Sequence, residues 1–218
     1  MSTLWVFGDS YSDNFIESGW SKQYVQHKGY LPKTFGQIIS ENMNMTMNNH
    51  SYSGSDNDTI YETICQHAPS IQKGDIIIIG WSSVLRFRLP SNPNKWIVIT
   101  PNTNNNLFDN FNLTKEVIEE ILYQRSLPNY IDEYQKRRNF LSWLFRDNII
   151  IHWTPFRSQL KFIYGFSNIN TIREETNMVV DDVHYSELGH QQMSVHLTEL
   201  INNQEKRDFY NNISIKLL

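Results

Sequence analysis

The sequence predicts an α/β protein: a three-layer sandwich with a parallel central sheet covered by helices on both faces. Three observations predict it. Ile76-Ile77-Ile78-Ile79 and Ile149-Ile150-Ile151 are continuous β-branched runs that do not alternate with polar residues, the pattern of strands buried on both faces. Segments with helical periodicity lie between the strand-like runs, giving the strand–helix alternation of a doubly wound sheet. Residues able to do chemistry follow the strand-like runs directly, where open parallel sheets place their ligands.

The elements follow in order. The first strand is read over Leu4 to Phe7 and runs into Gly8. Leu31-Pro32 leads into a helix marked by Phe35, Ile38 and Ile39, and a weaker strand spans about Met45 to Tyr52. Asp56-Asn57-Asp58 supplies N-cap candidates for a helix whose Ile60, Ile64, Ala68 and Ile71 share a face. Cys65 lies in that pattern and is expected to be buried. The next strand covers Asp75 to Gly80. Residues 87–113 then break the repeat with Pro90, Pro93, Pro101 and Asn104-Asn105-Asn106, and read as an insertion holding one short strand over residues 96–99. Val117, Ile118, Ile121 and Leu122 mark a helix, and Ile131, Tyr134, Leu141, Leu144 and Phe145 a longer one. A strand follows over Asn148 to Trp153. Ser186 is placed to cap a last helix that turns Met193, Leu197, Leu200 and Ile201 inward. At 218 residues, the expectation is one domain over 1–218.

Composition narrows the function. The net charge of -4 and a pI near 6.0 argue against nucleic acid as a partner. The densest basic cluster, Lys136-Arg137-Arg138, reads as a solvated helix face. One cysteine rules out an internal disulfide and a cysteine-based zinc site. No apolar run approaches the ~18 residues of a membrane span, and no signal peptide is read at the start, so a soluble chain made in a reducing cytoplasm is expected.

Two stretches carry the chemistry. Gly8-Asp9-Ser10-Tyr11-Ser12-Asp13 places a serine just after the first strand, at an expected strand-to-helix turn that would expose it. A serine hydroxyl becomes a useful nucleophile when a base takes its proton. Asp181-Asp182-Val183-His184, ahead of the last helix, supplies that base. Asp181, three residues before His184, is the expected orienting carboxylate, with Asp182 as its rival. No metal-ligand spacing is present, and a serine–histidine–aspartate mechanism calls for no metal or organic cofactor.

Taken in order, these blocks resemble the SGNH or GDSL hydrolase family. Phe7-Gly8-Asp9-Ser10-Tyr11-Ser12-Asp13 is similar to its nucleophile block, Ser53-Gly54-Ser55-Asp56-Asn57 to its second block, and Asp181-Asp182-Val183-His184 to its last. The resemblance implies a flavodoxin-like αβα fold and an esterase, lipase, thioesterase or carbohydrate deacetylase. It implies an oxyanion hole from the N–H groups of Ser10 and Gly54. The family's third donor is the Asn of Gly-x-Asn-Asp after the third strand, and here Gly80-Trp81-Ser82-Ser83 puts Ser82 at that place. Asp9, Asn57, Trp81 and Arg86 are the further candidates for touching substrate. The run Gly80 to Phe87 is similar to SGNH-like proteins of tailed bacteriophages. The expectation is therefore a serine esterase removing O-acyl groups, acetyl above all, from a small-molecule or polysaccharide ester. Two alternatives stand beside it: a virion-associated structural or interaction protein with weak catalysis, which the altered third block motivates, and a lipase or thioesterase.

Overall fold

The computed structural model describes residues 2–92, 95–100, 114–126, 128–156 and 169–213. Strands β1 (Thr3–Phe7), β2 (Thr46–Asn49) and β3 (Ile76–Gly80) join β6 (Ile149–Trp153) in one sheet ordered β2-β1-β3-β6, and every pairing in it is parallel. The chain therefore steps from β1 to one side and then crosses back to the other. The order reverses between β1 and β3, and such a switch point opens a crevice beyond the carboxyl ends of those strands.

Two apolar clusters explain why the strands are continuous isoleucine. Leu4, Val6, Ile76, Ile78, Ile151 and Trp153 face one side and meet Phe35 and Ile39 of α2 (Phe35–Asn42) and Met193, Leu197 and Leu200 of α7 (Glu187–Asn202). Their alternates Trp5, Phe7, Ile77, Ile79 and Ile150 face the other side. There they meet Ile60 and Ile64 of α3 (Asn57–His67) and Tyr134 and Leu141 of α5 (Pro128–Leu144). The period of two along each strand thus feeds two helical layers, giving the three-layer αβα sandwich that the sequence predicts. Each fully buried isoleucine contributes about 1.5–3 kcal/mol of apolar transfer, so four consecutive ones make β3 the anchor of the sheet.

The predicted caps are in place. Asp56 Oδ1 accepts from the Thr59 N–H at 2.8 Å, and Ser186 Oγ accepts from the Gly189 N–H at 3.1 Å. Cys65 departs from expectation and is exposed. Ile60 and Ile64 point inward, and the next residue is rotated by ~100° away from that face.

Part of the expected insertion lies within the described residues and holds two strands where one was expected. Strands β4 (Phe87–Asn92) and β5 (Lys95–Ile99) form an antiparallel hairpin with an irregularity between Pro90 and Asn92. Buried Phe87 and Ile99 seat it on Ile118 of α4 (Lys115–Ser126). The remainder of the expected insertion, 93–94 and 101–113, lies outside the described residues. Three further helices carry little sequence signal: α1 (Lys22–Lys28), the short α6 (Ile172–Glu175) and α8 (Gln204–Ile213). Among the described residues, no helix is long and apolar enough to cross a membrane.

Candidate active site

β1 ends at Phe7, and the next six residues build a turn. The Asp9 carbonyl accepts from the N–H groups of Ser12 (2.9 Å) and Asp13 (3.0 Å), while Asp9 Oδ1 accepts from the Tyr11 N–H at 3.1 Å. The expected helix does not follow. The Asp13 carboxylate takes the N–H of Asn14 at 2.8 Å, a donor a helix would use, and that of Ser53 at 3.0 Å, which ties the turn to a neighbouring loop. Glycine is required at both strand ends. A Cβ on Gly8 would lie 2.5 Å from Ser12 Oγ, and one on Gly80 would lie 2.5 Å from the same atom and 2.8 Å from the Trp153 ring. Ser12 thus fills a notch between the ends of β1 and β3, which locks the turn over the sheet.

Ser10 is only 4% exposed, contrary to the exposed serine expected from sequence. Its Oγ lies 2.7 Å from His184 Nε2. His184 Nδ1 lies 2.5 Å from Asp182 Oδ1, which also accepts the His184 backbone N–H at 2.8 Å. Burial acts to raise the Asp182 carboxyl. The hydrogen bonds from the His184 ring and backbone, with Arg173 nearby, outweigh it and hold the group below its ordinary range. An ionised carboxylate only accepts, so Nδ1 carries the ring proton and Nε2 is left to accept from the Ser10 hydroxyl.

The carboxylate in contact with the His184 ring is therefore Asp182, where the sequence expectation had Asp181. The cause is local. The Ile172 N–H donates to the His184 carbonyl at 2.9 Å and the Arg173 N–H to the Asp182 carbonyl at 2.8 Å, which pins residues 182–184 against residues 172–173. Asp182 Oδ1 takes the His184 N–H two residues on, an Asx turn that brings this carboxylate to the ring. Asp181, with its side chain 76% exposed, pairs with Arg173 at 2.5 Å instead.

The other candidates divide. The Tyr52 N–H donates to the Gly8 carbonyl at 3.1 Å, and with the Ser53 bond this brings the loop carrying Gly54 against the serine turn. Gly54 has φ of +86°, a left-handed conformation that suits glycine. Asp9 lies under the turn at 1% exposure, held by Arg86 at 3.0 Å and by the Ser82 hydroxyl. Burial pushes its carboxyl up, against the opposing pull of Arg86, the Tyr11 N–H and Ser82. Asp9 is thus an internal anchor with no surface for a substrate.

Ser82 is fully buried, and its hydroxyl serves Asp9, so it does not face the cleft as an oxyanion donor would. Trp81 is also fully buried. Its Nε1 donates to His152 Nδ1 at 3.1 Å and its ring meets Tyr134 edge-on, a core role that replaces the expected substrate contact. Both corrections share one reason. The Trp81 N–H donates to the Trp153 carbonyl at 2.8 Å and the Thr154 hydroxyl to the Trp81 carbonyl at 3.0 Å, so the sheet continues past Gly80 and draws these residues inward. Asn57 is buried as well, with Nδ2 donating to the Ser82 carbonyl at 3.0 Å.

Arg86 does reach the surface. It lines a cleft of about 350 Å³ with Tyr11, Ser83, Thr100, Phe156, Val183 and His184. Tyr11, Ser83, Thr100, Phe156 and Val183 in this wall are not among the candidates the sequence singles out. The adjacency of Ser83 to Ser82 and of Val183 to His184 was the available signal. Trp20, whose ring centroid lies 4.7 Å from that of His184, had none, because 164 residues separate the two in the chain. Among the described residues no cluster of His, Cys, Asp and Glu is arranged to hold a metal ion.

No family model matches the chain, and no curated protein matches it. Among solved structures it is similar to a carbohydrate esterase described as having an active site with divergent catalytic and non-catalytic binding functions. That pair shares 13% identity and a TM-score of 0.46 over 93% of this chain and 68% of the other.

Proposed function

We propose that the chain is a serine hydrolase of carboxylic esters, of the SGNH type, that removes O-acyl groups from a carbohydrate. The observation that carries the proposal is the line of contacts Ser10 Oγ to His184 Nε2 at 2.7 Å and His184 Nδ1 to Asp182 Oδ1 at 2.5 Å, beside an open cleft. A nucleophile, a base with its acceptor nitrogen turned to it, and a carboxylate fixing the tautomer are the parts acyl transfer needs.

The chemistry follows from the protons. Ser10 Oγ attacks the ester carbonyl carbon while its O–H bond breaks and the proton passes to His184 Nε2. The carbonyl π pair moves onto oxygen, and Asp182 stabilises the imidazolium that forms. The backbone N–H groups of Ser10 and Gly54 are the donors assigned to the oxyanion. Collapse of the tetrahedral adduct expels the alcohol, which takes the proton back from Nε2. Water then repeats the sequence on the acyl-enzyme, with His184 again acting as base.

The cleft favours a polar, compact ester. Its wall combines the Tyr11 and Phe156 rings, set edge-to-face at 5.7 Å, with the hydroxyls of Ser83 and Thr100 and the Arg86 guanidinium. Aromatic faces beside hydrogen-bonding groups suit a sugar ring better than a long acyl chain. Hydrolysis of p-nitrophenyl acetate, p-nitrophenyl octanoate and a peracetylated sugar tests the reading. Acetate and the sugar should turn over and octanoate should lag. Faster octanoate hydrolysis would move the assignment to a lipase or thioesterase.

A further inference from the structure

The imidazole of His184 packs against two aromatic rings, Tyr11 and Trp20, each with its centroid 4.7 Å away and tilted by 42° and 44°. Tyr11 belongs to the serine turn and to the cleft wall. Trp20 belongs to neither. It sits in a one-turn 3₁₀ segment, Gly19–Ser21, and the chain takes trouble to hold it there. The Ile16 N–H donates to Ser21 Oγ at 2.9 Å and that hydroxyl donates back to the Ile16 carbonyl at 2.8 Å, closing the loop that presents the indole. Gly19 makes the reversal with φ of +68°. Phe15, 5.5 Å from Trp20, ties the ring to a small apolar cluster with Tyr24, Ile172 and Val180. Ile172 is the residue whose N–H holds the His184 carbonyl, so this one cluster supports both the indole and the imidazole.

Resting on the hydrolase reading above, we propose that Trp20 is a positioning residue for His184. Its ring fixes the imidazole plane between Ser10 and Asp182 and stabilises the imidazolium that each proton transfer creates. The physical basis is the ring quadrupole, which attracts a cation within about 6 Å of the centroid, most strongly for indole. The cation exists only after Ser10 has given up its proton, so the attraction is greater in the transition state than in the resting enzyme and appears in kcat. Trp20 is not among the cleft-lining residues, so KM is spared.

Among the described residues, the other charged or titratable groups facing His184 are Asp182, Tyr11, Asp9 and His190, with Arg173 beside Asp182 and Arg86 across the cleft, while Asp13 is held by the Trp20 indole. Trp20→Leu and Trp20→Phe both lose the indole bond to Asp13 and only Trp20→Leu loses the π face, so the difference between the two pH profiles reports the π face.

The test uses the full chain, p-nitrophenyl acetate, and the variants Trp20→Leu and Trp20→Phe. Trp20→Leu should lower kcat roughly three- to thirty-fold, the rate equivalent of one such contact, with KM within about two-fold. The acidic limb of its kcat–pH profile should move to lower pH by about half a unit to one and a half units. Trp20→Phe should recover most of the rate and most of the limb. An unchanged kcat in Trp20→Leu overturns the proposal, as does a lower kcat with the limb in place. If circular dichroism shows that Trp20→Leu does not fold, Trp20→Met takes its place beside Trp20→Phe, and equal limbs in the two variants overturn the proposal. A wild-type chain that neither turns over ester nor labels at Ser10 with a fluorophosphonate removes the hydrolase reading and this inference with it. An active wild type with unmoved limbs in the variants removes the inference alone.

Discussion

Replacing Asp182 by Asn separates the two neighbouring aspartates cleanly. The Asp182 carboxylate accepts from the His184 ring at 2.5 Å and from the His184 N–H at 2.8 Å. An asparagine amide can present an N–H to Nδ1 instead of accepting from it. The ring proton then moves to Nε2, and the nitrogen that must take the Ser10 proton is already occupied. In a triad of this geometry that change costs about 10⁴-fold in kcat, or roughly 5 kcal/mol of transition-state stabilisation. Asp181→Asn removes only the pairing with Arg173, in which the two side chains are 76% and 41% exposed, a contact of the kind worth about 0–1 kcal/mol to folding. Its kcat should stay within about two-fold of wild type, since it touches no reacting atom. Steady-state hydrolysis of p-nitrophenyl acetate by the two variants, with circular dichroism to establish folding, gives the ranking. Equal losses, or a larger loss in Asp181→Asn, would refute the assignment of Asp182.

Three further outcomes are expected. His190 is 1% exposed and accepts the Phe35 N–H at Nδ1, 3.2 Å away; burial, then the nearby His184, lowers its pKa to about 3. The unfolded chain takes up that proton below about pH 6.5 while the folded chain does not, so stability falls as pH drops from 6.5 towards 3. The loss reaches about 2 kcal/mol by pH 5, which urea melts at pH 5 and 8 would read, and equal midpoints would contradict it. Gly189→Ala should cost about 3 kcal/mol in the same melts, because its Cβ would lie 2.1 Å from the Asn170 carbonyl oxygen, a backbone atom that cannot swing aside. Ser82→Ala should lower the melting temperature with little effect on kcat, since its hydroxyl serves buried Asp9; a fall in kcat without a fall in Tm would return Ser82 to the oxyanion hole.

The fold was legible where burial wrote itself into consecutive residues. Ile76 to Ile79 could only be a strand covered on both faces, and β3 runs Ile76–Gly80. The helix of Ile60 and Ile64 was marked by its period and its Asp56 cap. α1, with Lys22, Gln23, Gln26, His27 and Lys28 around Tyr24 and Val25, offers too few apolar residues for a period to show. Ser10 and His184 stood out because their neighbours form short, ordered blocks. The choice between Asp181 and Asp182 was illegible because it depends on backbone bonds to residues 172–173, on the Asx turn at Asp182 and on Arg173, which draws Asp181 away. Ser82 and Trp81 were misjudged for a related reason. The sheet continues one residue past the glycine, through the Trp81–Trp153 backbone bond, and turns both side chains into the interior. Contacts set by distant segments leave no local pattern to read.

Ester hydrolysis by this chain requires Ser10 to act as a nucleophile activated by His184. Incubation with a fluorophosphonate, followed by digestion and mass spectrometry, measures this directly, because the probe bonds to a serine whose proton an adjacent base removes. The wild-type chain should carry one adduct, on the peptide containing Ser10, and Ser10→Ala and His184→Ala should carry none. A wild-type chain left unlabelled, or an adduct that persists in Ser10→Ala, would contradict the account.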